Sequence, residues 1–204
     1  MYVDCLIHAS WIIPVIPEGA ILENHALVIH HGLIHDILPS DAASERYHAA
    51  RSHRLNGHAL TPGLINAHTH VAMNLLRGLA DDLPLMTWLQ EYIWPTEQRW
   101  MGESFVTDGS RLAIAEMLRG GTTCFNDMYF HPNATAHAAA EIGIRANIGM
   151  ILLDFPSSWA ETAEEYIHRG LALRDEYRDH PHIHFSFAPH APYSVGNESL
   201  ERLR

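Results

Sequence analysis

The sequence contains no lysine. All 13 of its basic residues are arginine, set against 24 acidic ones in 204 residues, for a formal charge of -11. That absence removes Schiff-base lysines, phosphate-loop lysines and carbamylated-lysine metal bridges from the chemistry open to the chain. The shortage of positive charge creates a field that repels phosphate backbones and anionic lipid, which argues against nucleic acid and membrane as partners. Cysteine is scarcer still: Cys5 and Cys124 stand far apart, without the spacing of a disulfide framework or a thiolate zinc site, and predict a reducing, cytoplasmic setting. The stretch MYVDCLIHASWIIP has neither a basic flank nor a small-residue cleavage site, and no apolar run approaches the roughly 20 residues a membrane-spanning helix needs. A Pro-Cys-x-x-Cys zinc element, a nucleophile elbow, a phosphate loop and a Rossmann glycine pattern are also missing. What is plentiful is apolar material, 47% of residues and enough for a sizeable core, and histidine, 17 of 204.

Two grammars follow one another along the chain. Residues 1 to about 60 read as short strands with turns: Tyr2 to Ile13, Ala26 to His30, and Leu33 to Leu38 after a His31-Gly32 turn. Eight histidines fall here, His8, His25, His30, His31, His35, His48, His53 and His58, on neither a helix face nor a ligand spacing, and are expected at the solvated surface. From Leu60 the pattern alternates strand and helix, as βα units around a parallel sheet do. The strands are expected at Leu60 to Asn66, Thr122 to Met128, Ala146 to Leu152 and Ile183 to Ala188. Helices are expected at Pro84 to Ile93, Glu103 to Arg119, Pro132 to Ile142 and Trp159 to Tyr177. Gly120-Gly121 and Gly143 stop helices, and Ser158 with Glu161 has capping-box spacing. In the last helix Ala163, Tyr166, Ile167, Gly170, Leu171, Arg174 and Tyr177 form the expected buried stripe.

The expected class is α/β: about four βα units, the N-terminal part of a TIM barrel, preceded by a small β region. A closed barrel needs eight strands and typically about 250 residues. The domain boundaries are therefore 1–60 and 61–204, the second being the first half of a barrel cut in a helix that begins near Asn197. A small complete domain is the alternative.

One constellation carries chemistry. Leu60-Thr-Pro-Gly-Leu-Ile-Asn-Ala-His68-Thr-His70 puts two imidazoles two residues apart on a strand, on the same side, where they can grip one metal ion. A bare His-x-His arises about 1.4 times by chance at this histidine content, so position matters more than spacing. His68 and His70 sit at the C-terminal end of their strand, where barrel active sites lie, whereas His182 and His184 open theirs and read as structural. Asn66 shares the parity of the pair and reads as a residue that steadies a ligand. Asp127 and Asp154, at strand ends, are candidates for the pocket wall or for helix caps. Arg77 and Arg145 are candidate partners for a substrate carboxylate, and Cys124 reads as core.

The run Pro62-Gly-Leu-Ile-Asn-Ala-His-Thr-His70 resembles the first-strand metal motif of the amidohydrolase superfamily. Leu76 to Glu97, with Thr87-Trp88-Leu89 and Trp94-Pro95-Thr96-Glu97, resembles the 5'-methylthioadenosine and S-adenosylhomocysteine deaminases, and Phe187-Ala-Pro-His190-Ala-Pro-Tyr193 resembles their fourth-strand motif. The resemblance covers most of the chain from Thr61 onward, and it implies that the strand-rich residues 1–60 are the N-terminal portion of a small β-sandwich segment. It implies a zinc-dependent hydrolytic deaminase of adenosine analogues (5'-methylthioadenosine, S-adenosylhomocysteine, adenosine itself), with one zinc per complete subunit. His68 and His70 are implied as zinc ligands, Glu97 on the ribose hydroxyls, His190 facing the purine and Trp88 walling the pocket. A carboxylate accepts from a ribose diol, and an indole face covers a thioether or base. Residue type alone leaves Glu97 open as a solvated helix residue and Trp88 as core. The proton-shuttling glutamate is expected beyond residue 204, so no catalytic residue is assigned within the chain. The implied partner is a small purine nucleoside, with a homo-oligomer compatible. Two other readings stand beside it: another amidohydrolase, such as a guanine or triazine aminohydrolase or chlorohydrolase, and an inactive, truncated metal-binding fragment.

Overall fold

The computed structural model describes residues 1–203. It divides into two compact units, Met1–Pro62 and the chain from Gly63 onward. In the first unit, strands β1 (Tyr2–Ile12), β2 (Leu22–His30), β3 (Leu33–Pro39) and β4 (His48–Leu60) form one sheet in the order β3-β2-β1-β4. β1 pairs antiparallel with β2 and parallel with β4. A short helix, α1 (Ser40–Arg46), covers one face, where Ala43 and Tyr47 join Val3, Leu6, Ala26 and Val28 in the core.

Two elements of this unit carry no sequence signal, and one expectation is corrected. The 13-residue β4 was not foreseen as a strand, because its burial pattern is exposed at most positions and carries no alternating apolar signal. Helix α1 was missed because its seven residues contain one buried side chain, too few for a periodic pattern. His8 is buried rather than solvated, since β1 is inward-facing over most of its length. The His31-Gly32 turn joins β2 and β3 as expected, with both residues in the left-handed region (φ 53° and 73°), the geometry of a type I′ hairpin.

In the second unit, β5 (Leu64–Thr69), β6 (Thr122–Met128), β7 (Arg145–Leu152) and β8 (Ile183–Pro189) form a wholly parallel sheet in sequential order. Sequential parallel neighbours joined by helices are the βα units of a barrel wall. Helices α4 (Glu103–Arg119) and α5 (Pro132–Ile142) fall where the sequence puts them. They pack on the outer face of the sheet, where Ile114, Ala136, Ala138, Ala139, Phe125 and Ile148 are buried together. Burying Phe125 and Ile148 contributes about 1.5–3 kcal/mol each. The inner face is more polar: the Asn147 amide donates to Asn126 (2.6 Å) and Ser186 (2.8 Å), bridging β6, β7 and β8.

The other differences have local causes. β5 starts four residues later than expected, because Pro62 and Gly63 separate it from β4. Helix α6 (Ala163–Glu176) is capped not by Ser158 but by Thr162, whose hydroxyl accepts from the Glu165 N–H at 3.2 Å. Ser158 instead meets the His131 ring at 3.1 Å. Leu173 takes the buried place expected for Arg174, which is exposed and pairs with Asp175. After β5 the chain winds through a 3-10 turn (Val71–Leu76) and then a helical stretch, α2 (Leu85–Thr87) passing through a π-turn (Trp88–Ile93) into α3 (Trp94–Trp100). Pro95 does not end this stretch: it falls in the first turn of α3, directly after the π-turn.

Helix α4 lies very close to the segment that follows β5. A Cβ added at Gly109 would stand 2.6 Å from the Ala72 carbonyl oxygen and 2.8 Å from its Cα, a backbone collision that no rotamer change relieves. Gly109→Ala is expected to destabilise the unit by about 1–3 kcal/mol in urea unfolding. A neutral result would show that the Val71–Leu76 turn yields freely.

Candidate active site

Four strand ends and the α2–α3 stretch converge on one cleft of about 510 Å³. His70 follows β5, Tyr129 and Phe130 follow β6, Leu153 and Phe155 follow β7, and His190 and Tyr193 follow β8. Trp88, from the π-turn, and Trp94 and Glu97, from α3, line the cleft as well. The π-turn inserts an extra residue per turn between Trp88 and α3, as turns of this kind do at many functional sites.

His70 is held by its backbone neighbours. Its Nδ1 lies 2.6 Å from the Met128 carbonyl oxygen. A carbonyl only accepts, so Nδ1 carries the proton and Nε2 keeps its lone pair free, the arrangement that metal-binding imidazoles use. The His68 ring stands edge-on to it, centroids 5.1 Å apart at 82°. His68 does not line the cleft and is exposed. Two imidazoles with one tautomer fixed suit a zinc ion, but a catalytic zinc takes three protein ligands and water, so this chain offers part of such a set.

Behind His70 sits Asp127, fully buried. Its Oδ1 accepts from the Val71 N–H at 2.8 Å and the Thr69 hydroxyl at 2.9 Å. Burial pushes its carboxyl up to about 6, partly offset by these donors and by the nearby His70. Asp127 thus binds β6 to the end of β5 and does not face the cleft. Asp154 has a similar fate: it accepts from Gly196 N (2.5 Å) and Ser199 Oγ (2.5 Å), at the start of α7 (Asn197–Glu201). Both aspartates fall on the helix-cap or turn side of the alternatives left open by the sequence.

Glu97 projects from α3 into the cleft and accepts a hydrogen bond from the buried Tyr129 hydroxyl. Burial raises the Glu97 pKa, while the Tyr129 hydroxyl, and His70 when it is protonated, draw it back. Burial, then the Glu97 charge, raises the Tyr129 pKa, so the phenol stays a neutral donor. Tyr129 was not singled out from the sequence, although its place directly after a barrel strand is a legible signal. His190 Nδ1 lies 2.8 Å from the Ser194 hydroxyl, which itself donates to the Ala191 carbonyl. That order leaves Nε2 as the free ring nitrogen. Burial, and then His70 when it is protonated, lowers the His190 pKa and favours the neutral ring.

Asn66 is corrected. It does not share a face with His68 and His70, because the β5–β6 register slips between Asn66 and Thr69. A bulge of one residue reverses parity, and Asn66 instead reaches Met117 of α4. Arg77 is engaged by Glu116 at 2.6 Å, Arg145 opens β7 at the other end of the sheet, and no arginine lines the cleft among the described residues.

Residues 59–204 match the model of the amidohydrolase family. This chain belongs to the amidohydrolase family. It is 52% identical over 200 residues to a 5-methylthioadenosine/S-adenosylhomocysteine deaminase of Saccharophagus degradans, covering 98% of this chain and 45% of that protein. The Teredinibacter turnerae protein of the same name is 50% identical over 201 residues, with 98% and 46% covered. A crystal structure of an adenosine deaminase from Xanthomonas campestris with bound zinc superposes with a TM-score of 0.98 at 48% identity, covering 100% of this chain and 46% of that one. Atrazine chlorohydrolase from Arthrobacter aurescens shares the fold, with a TM-score of 0.86 at 19% identity over 98% of this chain and 49% of that one. The chain spans about half the length of the curated relatives it matches.

In this amidohydrolase the Tyr129–Glu97 bond makes a measurable claim. Tyr129→Phe removes a donor that favours the carboxylate, so the Glu97 carboxyl is expected to titrate higher still in a carbon-13 NMR titration. A carboxyl raised by folding contributes stability fully below its unfolded pKa and loses it as pH rises through the folded value. The variant should therefore lose more stability at alkaline than at acidic pH, by about 1–2 kcal/mol. An unmoved Glu97 midpoint would show that Tyr129 does not hold the carboxylate.

Proposed function

We propose that the complete protein is a zinc-dependent hydrolytic deaminase of adenosine-type nucleosides, 5'-methylthioadenosine and S-adenosylhomocysteine foremost. The observation that carries the proposal is a carboxylate, Glu97, held by a buried tyrosine in an otherwise apolar cleft that also contains two imidazoles, His70 and His190. The names of relatives about 50% identical to the chain support the same reading. The net reaction adds water at the amino-bearing purine carbon and releases ammonia.

His68 and His70 would hold the zinc, with the remaining ligands and the proton-shuttling carboxylate drawn from the part of the relatives' length that this chain does not span. Zinc bound there would supply Lewis-acid activation of water near neutral pH. Glu97 accepts hydrogen bonds from both ribose hydroxyls and thereby fixes the sugar, and with it the base, in one orientation. The Trp88 indole covers the base or thioether, as aromatic walls of small-molecule pockets do. His190, kept neutral, presents Nε2 to the purine edge. Trp94, Phe155 and Tyr193 add aromatic surface to the same space. The acidic balance and the free Cys5 and Cys124 fit a cytoplasmic enzyme acting on a small molecule, and among the described residues no helix is long and apolar enough to cross a membrane.

The test uses the complete protein. Glu97→Gln should raise KM for 5'-methylthioadenosine by about 10–100-fold, the worth of a charge-assisted hydrogen bond or two, and leave turnover of free adenine or guanine nearly unaltered. Equal losses on nucleoside and free base would sink the ribose assignment and favour a free-base aminohydrolase. His68→Ala should lower bound zinc by one ion per subunit, and an unchanged content would remove His68 from the ligand set.

A further inference from the structure

The unit Met1–Pro62 carries a cluster that the deaminase reading does not use. Asp4 of β1 and His30 and His31, at the end of β2, each offer one ligand atom, and these atoms lie within 4.8 Å of one another. The antiparallel register explains the meeting. Cys5 pairs with Ile29, so one step further along the ladder Asp4 stands opposite His30. The rings of His30 and His31 are tilted over one another, centroids 3.9 Å apart at 38°.

The hydrogen bonding within the cluster is incomplete. His30 Nδ1 is a buried atom without a hydrogen-bond partner. Its nearest acid oxygen, Asp4 Oδ1, is 3.6 Å away, beyond hydrogen-bond reach. Asp4 Oδ2 is already committed, accepting from the His31 backbone N–H at 2.6 Å, which also pins the turn. A desolvated ring nitrogen and a carboxylate oxygen therefore face each other across a gap too wide for a proton, and a second imidazole flanks them.

We propose that Asp4, His30 and His31 bind a divalent late first-row transition metal ion, zinc being the test case. Two imidazole nitrogens and one carboxylate oxygen are a donor set for zinc, copper or nickel rather than for magnesium or calcium. Donors held about 2.0–2.1 Å from a common zinc stand roughly 3.3–4.2 Å apart, so the observed spacing closes with a small rotation of the exposed His31 ring. The Asp4 side chain is 48% exposed and that of His30 23%, which leaves an approach from solvent and room for water as a further ligand. The proposal is independent of what the cleft does.

The experiment is calorimetric titration with zinc of the chain carrying His68→Ala and His70→Ala, so that the cleft pair contributes nothing. One zinc per chain is expected. Adding Asp4→Asn and His31→Asn should weaken binding at least tenfold, while His53→Asn, elsewhere in the same unit, should not. Asparagine at position 31 tolerates the left-handed backbone there. In the unaltered chain, zinc should also shift the nitrogen-15 resonances of the His30 and His31 rings. Absence of binding, equal loss in the His53 control, or unmoved His30 and His31 resonances would each overturn the site.

Discussion

A single buried carboxylate holds the candidate site together. Asp127 is shut away from water, and its Oδ1 is taken up by the Val71 N–H and the Thr69 hydroxyl, one on each side of His70. Such a group is costly to bury unless its partners are in place. Its bonds therefore fix where β5 ends and how the chain turns away from it. The Met128 carbonyl, one residue after Asp127, is then placed to take the His70 ring proton. The tautomer of a candidate metal ligand thus follows from a carboxylate that never reaches the cleft.

The same clamp links packing to chemistry on the outer side of the sheet. The Val71–Leu76 turn that Asp127 anchors is pressed against α4 at Gly109, where no side chain would fit. Alanine-rich α5 completes this layer at close range. The cleft is built at the strand ends beyond this layer: Tyr129, just after β6, meets Glu97 from α3, and His190 leans on Ser194 just beyond β8. Glu97 and His190 both sit in surroundings that oppose charge; the Tyr129 hydroxyl draws the Glu97 pKa back, and the Ser194 hydroxyl lies against His190 Nδ1.

Legibility from sequence followed the strength of local signals. β6, α4 and α5 are readable to the residue because alternating or helical apolar patterns coincide with glycine stops at Gly120 and Gly143. β4 was invisible because most of its side chains face solvent. Thr162 and Ser158 offer the same capping spacing to Glu165 and Glu161, and nothing local decides between them. Asn66 was placed on the wrong face because a bulge leaves no mark in the residue types around it. Trp88, Glu97, His70 and His190 share a cleft, while His68 stands beside it against the His70 ring.

The class of fold was legible in the residues alone because it depends on short-range pattern, and the family because the Pro62–His70, Leu76–Glu97 and Phe187–Tyr193 motifs are contiguous in sequence. Composition alone removes lysine-based chemistry from these 204 residues. Only the tertiary structure decided that Tyr129 holds Glu97, that Asp127 and Asp154 bind backbone and hydroxyl donors, and that Asp4 meets His30 and His31. Each of these depends on strand register and on which side chain is cut off from water, and neither is fixed until distant segments pack together.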